Sequence, residues 1–162
     1  MKHLTMSQPP NKPLIINVPT MKINLSPLAF RLSAKHYYKC KQDFICPDKF
    51  SVVPYFLLCR SIELSIKARH LKQVGQKTVK DNYGHNLMKA YNALKPKDRI
   101  LSKTELKVLK QADYIYHNKG FEYFIPEHAM RGYKLFPDLK VLDQITKKFL
   151  QKFRNPRKLV QV

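Results

Sequence analysis

The longest helical pattern of the chain lies at residues 52–74, which read VVPYFLLCRSIELSIKARHLKQV. Ser51 precedes the pattern as a helix N-cap, Pro54 stands in the first turn, and Gly75 follows where a terminating glycine is expected. At about 100° per residue, apolar side chains line two nearly opposite sides of this helix, with a polar stripe between them. A helix that is apolar on two sides is typical of the centre of a helical bundle.

The polar stripe consists of Arg60, Glu63, Lys67 and His70. Glu63 and Lys67 have the acid-before-base order at i, i+4, which stabilises an exposed helix by roughly 0.2–0.5 kcal/mol. If the apolar sides bury the stripe, its charges must be paired and hydrogen-bonded, and His85 is the expected further partner. We interpret the stripe first as a structural network that sets helix register, and alternatively as a site that binds or cleaves a ligand.

Caps and apolar spacing predict four further helices. Their approximate bounds are residues 26–43, 84–94, 102–117 and 138–153. The first has Ser26 as its N-cap and Pro27 in its first position, and the helix at 102 begins with a capping box formed by Ser102 and Glu105. Residues 118–137 are aromatic and interrupted by glycine and proline, which indicates a packed loop.

The chain divides into three regions by composition. Residues 1–25 form a proline-rich basic arm that we expect to be extended, residues 26–155 hold the helical pattern, and residues 156–162 form a basic tail. Helices joined by short loops, without a convincing alternating strand, predict an all-α fold. The expected architecture is an antiparallel bundle of four or five helices with an N-terminal arm.

The charge of the chain is its most unusual property. Its 162 residues include 31 Lys and Arg against 11 Asp and Glu, a formal net charge of +20. Such a surplus is the electrostatic footprint of a protein that binds nucleic acid or another polyanion, although a solvated basic surface is the alternative. Aromatic residues at 118–136 are candidates for stacking on bases. The candidate phosphate contacts are Lys77, Lys80, Lys97, Arg99, Lys103, Lys147, Lys148, Lys152 and Arg154.

Several classes of protein are not expected from this sequence. No apolar run approaches the length of a membrane span, and the N-terminus lacks the apolar core of a secretory signal. Cys40, Cys46 and Cys59 have no CxxC spacing, and the scattered histidines form no metal-binding pattern. With four glycines the chain also has no phosphate-binding glycine loop. We therefore expect a cytoplasmic protein without a cofactor or a metal site.

Two motifs are similar to those of a known family. Residues 55–68 read YFLLCRSIELSIKA, and residues 83–87 read YGHNL. This pairing resembles the HEPN-like helical domains, in which an apolar helix with an ELxxKA motif precedes a GHxL helix start. The segment at 121–123, FEY, resembles the short aromatic segment that follows the fourth helix in that family. The resemblance covers residues 26–125 and implies an antiparallel helical bundle that is often a homodimer.

The same resemblance implies an association with RNA. Members of the superfamily include RNA-cleaving toxins, defence proteins and partners of nucleotidyltransferases. Its catalytic members carry an Arg-x4–6-His motif late in the bundle, whereas here Arg31 and His36 satisfy the spacing on the first helix. In a catalytic role, His36 would act as general acid–base on a ribose 2′-OH and Arg31 would stabilise the phosphorane charge, without a metal.

The sequence thus predicts a basic, RNA-associated module of HEPN-like type, from a defence or toxin–antitoxin system, that binds phosphates without sequence specificity. One alternative is a metal-independent ribonuclease that uses Arg31 and His36, or a site around His70 and His85. The other is a protein-interaction module with an acidic protein partner. His85 itself stands beside Gly84 at a helix start, where it can cap backbone donors or meet Glu63.

Overall fold

The computed structural model describes residues 26–123 and 125–153, and within them every regular element is a helix. The all-α class is therefore confirmed. The predicted arm at 1–25, the tail at 156–162 and Arg154 lie outside the described residues. The helices are α1 (Pro27–Asp43), α2 (Val53–His70), α3 (Gln76–Tyr83), α4 (Leu87–Asn92), α5 (Lys103–His117), α6 (Pro126–Met130) and α7 (Leu139–Lys152), with a 3-10 turn at Pro96–Asp98.

Helix α2 lies at the centre of the molecule. Twelve of its 18 residues are buried, and it packs against α1, α4, α5 and α7. Because α2 has neighbours on several sides, its two apolar sides both reach the core, as the sequence pattern predicts. Fully buried apolar side chains from α2, α5 and α7 meet there, and each contributes roughly 1.5–3 kcal/mol to folding. They include Leu58, Ile62, Ile66, Leu109, Ile115, Leu142, Ile145 and Phe149.

Polar contacts at both ends show that α1 and α7 run antiparallel. Near the start of α1, the Nη1 of Arg31 donates to the carbonyl oxygen of Phe153, 3.1 Å away at the end of α7. Near the end of α1, the Nζ of Lys41 donates to the Oδ1 of Asp143, 2.6 Å away in the first turns of α7. These two contacts fix the relative direction of the helices.

Helices α2 and α5 are antiparallel in the same way. The rings of Phe56 and Tyr116, at the start of α2 and the end of α5, have centroids 6.2 Å apart. At the opposite end of α2, the Nε of Arg69 donates to the Oδ2 of Asp98, 2.7 Å away and just before α5 begins. The short helices α3 and α4 therefore fill the connection between two antiparallel long helices.

Two predicted helix starts are confirmed by their hydrogen bonds. The Oγ of Ser26 accepts from the backbone N–H of Ala29 at 3.2 Å. At the start of α5, the Oγ of Ser102 accepts from the N–H of Glu105 at 3.3 Å, and the Oε2 of Glu105 accepts from the N–H of Ser102 at 2.9 Å. The reciprocal pair satisfies two backbone donors that a helix start otherwise leaves to solvent.

The predicted end of the central helix is wrong. Helix α2 ends at His70, five residues before Gly75, and Gly75 is instead the N-cap of α3 with an extended backbone. Helix α3 is missing from the sequence prediction because its eight residues bury only Val79, so the segment has no apolar periodicity. At the other end, Val52 occupies the N-cap position, although the Oγ of Ser51 accepts from the N–H of Val53 at 3.2 Å.

The predicted third helix and the predicted loop also differ from the structure. Residues 84–86 lie between α3 and α4, where Gly84 ends α3 with a φ of +48° that favours glycine. Asn86, rather than His85, caps α4, since its Oδ1 accepts from the N–H of Lys89 at 2.6 Å. In the loop at 118–137, a short helix, α6, begins with Pro126 in its first turn.

Candidate functional site

A cleft of about 640 Å³ opens between α1, α2, α3 and the turn that follows α3. Helix α1 contributes aromatic rings to its wall, α2 contributes charged groups and Leu64, and α3 contributes Val79 and a lysine. The volume lies within the range of roughly 300–1,000 Å³ that small-molecule sites occupy. The lining residues that matter most chemically are Phe30, Tyr37, Arg60, Lys67, Lys80 and His85.

The carboxylate of Glu63 lies at the base of this cleft and is only 2% exposed. The Nζ of Lys67 donates to its Oε1 at 2.5 Å, and the Nη1 of Arg60 lies 3.2 Å from Oε1 and 3.1 Å from Oε2. The Nδ1 of His85 is 3.2 Å from Oε2, and the hydroxyl of Tyr116 donates to the same oxygen. We call these five residues the Glu63 network.

The ionisation states within the network follow from these contacts. Burial raises the pKa of the Glu63 carboxyl, but Lys67, Tyr116 and Arg60 together outweigh burial and hold its pKa below the usual value of 4.5. Burial and the neighbouring Glu63 both raise the pKa of the Tyr116 phenol well above 10.0. Glu63 is therefore a carboxylate at neutral pH, and Tyr116 is a neutral donor.

The network carries more positive than negative charge. Arg60 and Lys67 contribute two cations to one carboxylate, and His85 adds a third positive charge whenever it is protonated. The side chain of Lys67 is only 10% exposed, whereas that of His85 is 52% exposed and lies at the edge of the cleft. A partly enclosed region with a surplus of cations attracts anions.

Arg31 and His36 lie outside this cleft. The guanidinium of Arg31 is directed to the carbonyl oxygen of Phe153, and His36 is an exposed residue of α1. Five positions along an α-helix correspond to about 140° of rotation, so the two side chains project in different directions from α1. The structure does not bring them together on one face.

His70 also lies outside the Glu63 network, although the sequence pattern groups it with the polar stripe. Its Nε2 is 2.9 Å from the carbonyl oxygen of Ala90, and its ring stacks on Tyr83 with centroids 4.5 Å apart. At 6% exposure it is a buried link between α2 and α4. The proposed His70 and His85 pair is therefore divided: His85 faces the cleft and His70 does not line it.

The predicted phosphate contacts have one property in common. All eight that fall within the described residues are exposed: Lys77, Lys80, Lys97, Arg99, Lys103, Lys147, Lys148 and Lys152. Two of them form ion pairs, Lys147 with Asp143 at 2.9 Å and Lys148 with Glu105 at 2.6 Å. The exposed cations are distributed over α3, the 3-10 turn and the residue that follows it, the first residue of α5, and α7.

Three residues of the site were not identified from the sequence. Tyr116 is recognisable only as an apolar-face position of α5, since Glu63, its partner, is 53 residues away in the chain. Phe30 and Tyr37 belong to the first predicted helix, and no pattern in that helix distinguishes a ring that lines a cleft from one in the core. Their role depends on how α1 lies against α2 and α3.

Comparison with known proteins gives no match: no family model, no curated protein and no solved structure is significantly similar to the chain. The HEPN-like resemblance therefore depends on its own motifs, and function has to be argued from the site.

Two further findings concern partners of the protein. Among the described helices, none combines the length and the apolar composition that crossing a bilayer requires. Leu28 and Leu32, one turn apart on α1, are 47% and 45% exposed. These leucines leave apolar surface exposed on α1, and the homodimer stays a prediction.

Proposed function

We propose that the chain is a HEPN-like, RNA-associated module that binds the phosphate backbone without reading the base sequence. The observation that supports this proposal is the exposure of all eight described lysines and arginines selected as phosphate contacts. Exposed cations bind RNA mainly by releasing the counterions condensed on its phosphates, and this term does not depend on sequence. The formal net charge of +20 supplies the long-range attraction.

The strongest candidate surface lies where α5 begins and α7 ends. The Nζ of Lys148 is 2.6 Å from the Oε1 of Glu105, so the last turns of α7 lie beside the first turn of α5. Lys152 follows Lys148 by one helical turn, and Lys103 precedes Glu105 by two residues. We call the exposed residues Lys97, Arg99, Lys103, Lys148 and Lys152 the basic edge.

A salt series with matched variants tests the proposal. Affinity for a labelled single-stranded RNA is measured by fluorescence anisotropy from about 0.05 to 0.3 M salt, where each phosphate contact contributes about 0.7 to the log–log slope. We expect the combined variant Lys97→Gln, Lys103→Gln, Lys152→Gln to reduce that slope by about two. Lys148 is kept because it pairs with Glu105.

The control variant carries Lys49→Gln, Lys134→Gln and Lys140→Gln, which removes the same charge from exposed residues away from the basic edge. We expect it to bind RNA with nearly the original salt slope. Equal losses in the two variants would mean that the charge is a diffuse property of the surface. RNA binding that is absent, or that does not respond to salt, would refute the proposal.

The contact between Glu63 and His85 favours a second candidate, a metal-independent ribonuclease. With Nδ1 directed at the carboxylate, the Nε2 of His85 is left to face a substrate in the cleft. The Nε2 atom of His85 would remove the proton of a ribose 2′-OH, and the 2′-oxygen would then attack the adjacent phosphorus. The 5′-oxygen then leaves and takes a proton from water, and a 2′,3′-cyclic phosphate forms while nearby cations stabilise the phosphorane.

Cleavage of structured RNA in EDTA distinguishes the candidates. If the chain is a ribonuclease that uses His85, the substitution His85→Gln abolishes cleavage because it removes the base. Glutamine preserves much of the volume of the histidine side chain. Loss of cleavage in His36→Gln with full retention in His85→Gln would instead assign the chemistry to Arg31 and His36. Binding without any cleavage supports the non-catalytic module, and retention of an acidic protein in high salt after nuclease treatment would favour a protein-interaction module.

A further inference from the structure

The turn that follows α6 exposes apolar surface and positive charge side by side. Met130 is 78% exposed and Leu135 is 48% exposed, and the cations Arg131 and Lys134 are exposed between them. Together with Gly132 they line a depression of about 550 Å³, and we call these five residues the turn site. We propose that the turn site binds an acidic segment of a partner protein, with one large apolar side chain of that segment in the depression.

The backbone of the turn is held in one conformation. Gly132 and Tyr133 both have left-handed backbone angles, with φ of +58° and +56°. Their N–H groups donate to the carbonyl oxygens of Ala129 and His128, each at 2.9 Å, which closes the end of α6. The ring of Tyr133 stacks on Phe50 with centroids 4.0 Å apart, a contact that offsets the cost of this conformation at a residue other than glycine. A surface that is fixed before binding loses less conformational entropy when a partner docks.

The charge of the turn site favours an acidic partner. Two of the five described residues that line the depression are cations, and none is an acid. Among the described residues, neither Arg131 nor Lys134 forms an ion pair, although the exposed Glu127 precedes Arg131 by one helical turn. Carboxylates pair with guanidinium and ammonium groups through charge-assisted hydrogen bonds. A second copy of the chain is a poor occupant, since its net charge of +20 repels the same surface.

The shape of the turn site favours a protein segment over RNA or lipid. A depression between two aliphatic side chains encloses an inserted apolar group on several sides, as in the anchor pockets of protein interfaces. A nucleobase requires an aromatic platform, but the nearby rings of Tyr133 and Phe136 pack on each other, with centroids 5.2 Å apart, and on Phe50. A bilayer is flat, and two apolar side chains offer it little area to bury.

The turn site lies far from the basic edge, so this inference does not depend on the proposed RNA association. Residues 130–135 precede the start of α7 at Leu139, whereas Lys148 and Lys152 lie in its last turns. The 14 residues of α7 span about 21 Å at 1.5 Å per residue. An acidic segment and an RNA strand would therefore bind to separate surfaces of the molecule.

Isothermal titration calorimetry on the full chain tests both halves of the ligand. The probes are three capped peptides of sequence GDEDXEDDG, in which X is leucine, phenylalanine or serine. We expect the leucine and phenylalanine peptides to bind at least about tenfold more tightly than the serine peptide, because serine has no apolar area to bury in the depression. Equal affinity for all three would mean that only net charge is recognised and would overturn the proposal. The absence of binding by the leucine and phenylalanine peptides would overturn it as well.

Variants of the apolar residues locate the binding. The double variant Met130→Ser, Leu135→Ser should weaken the leucine peptide by about tenfold and remove its advantage over the serine peptide. The control Leu28→Ser, Val74→Ser changes residues that are 47% and 41% exposed, at the start of α1 and after the end of α2. It should preserve affinity within about twofold, and thermal unfolding confirms that both variants are folded. Equal losses in the two variants would place the peptide elsewhere.

Variants of the cations test the other half of the site. Arg131→Gln with Lys134→Gln should weaken all three peptides by about fivefold, the effect of two exposed ion pairs, and leave their ranking unchanged. The control Lys77→Gln, Lys89→Gln removes the same charge from exposed residues of α3 and α4 and should preserve affinity within about twofold. Equal losses in these two variants would contradict a local role for the turn site.

Vesicles of phosphatidylcholine and phosphatidylserine test the lipid alternative by sedimentation. We expect Met130→Ser with Leu135→Ser to leave vesicle binding unchanged. A loss of vesicle binding with unchanged peptide affinity would overturn the proposal and assign the turn site to a lipid surface. Salt-dependent RNA binding without any peptide binding would refute this inference and leave the proposed function intact, whereas peptide binding without RNA binding would do the reverse.

Discussion

Among the buried carboxylates of the described helices, Glu63 and Asp113 have surroundings that shift their pKa values in opposite directions. Glu63 on α2 is 2% exposed and has two cations and a tyrosine around it, which together lower its pKa. Asp113 on α5 is 9% exposed and accepts from the backbone N–H of Leu87 at 2.6 Å. Burial raises the pKa of Asp113 by more than its backbone donors lower it.

The difference indicates what each carboxylate does. Asp113 binds the first N–H of α4 and so joins α4 to α5, a task for which a neutral oxygen acceptor also serves. Glu63 holds two cations at the base of a cleft, a task that requires a full negative charge. Buried charge that exceeds the needs of helix packing is a reason to look for function at Glu63 rather than at Asp113.

The largest expected effect on the free energy of unfolding is that of the substitution Glu63→Gln. The substitution preserves shape but leaves Arg60 and Lys67 without their counter-charge, and breaking a buried pair costs about 3–5 kcal/mol. Because the Arg60 side chain is 29% exposed, we expect the lower end, about 3 kcal/mol, in the free energy of unfolding measured with urea.

The exposed pair of Lys39 and Asp43 on α1 provides the control for that measurement. Their side chains are 68% and 59% exposed, so Asp43→Asn should change the free energy of unfolding by less than about 0.5 kcal/mol. A loss below about 1 kcal/mol in Glu63→Gln would mean that the network is solvated in solution, and the contrast with Asp113 would disappear.

A smaller effect is expected for Asp113→Asn. The amide oxygen can still accept from the N–H of Leu87, and the substitution also removes the penalty of a buried charge, so we expect a loss below about 1 kcal/mol near neutral pH. Urea unfolding again measures the change. A loss as large as that of Glu63→Gln would show that the ionised form of Asp113 is as important to the fold as that of Glu63.

The smallest and most specific effect is the pH dependence of the stability losses in Glu63→Gln and Asp113→Asn. The pKa of Glu63 is lower in the folded state, so its stabilisation is present above the ordinary value of 4.5 and is lost as pH falls through the folded value. The pKa of Asp113 is raised above 3.8, so the penalty of its ionised form disappears as pH falls through the folded value.

The two variants should therefore diverge on acidification. As pH falls from about 7 toward 3.8, the stability lost in Asp113→Asn should grow by several tenths of a kcal/mol, and below pH 4.5 the stability lost in Glu63→Gln should shrink. Urea unfolding of the wild type and both variants across this range gives, for each variant, the slope of its stability loss against pH. Slopes of the same sign would refute the assignment of opposite pKa shifts.

Much of the local structure was predictable because it depends on neighbours in the chain. Ser26 and the Ser102–Glu105 capping box mark helix starts through hydrogen bonds that span three residues. Glu63 and Lys67 meet because four positions make one turn of α2. Where such a signal is absent, as in α3 with its single buried residue, the helix was not predicted.

The site itself was determined by the packing of distant segments. Periodicity places His70 in line with Glu63, but the end of α2 lies against α4 and the ring contacts Ala90 instead. Tyr116 reaches Glu63 across 53 residues because α5 returns antiparallel to α2. The sequence by itself determined the longer helices, the caps at Ser26 and Ser102 and the charged row on α2, since these depend on contacts within about one turn. That Tyr116 also reaches Glu63 depended on the length and course of the connections between helices, and only the tertiary structure decided that.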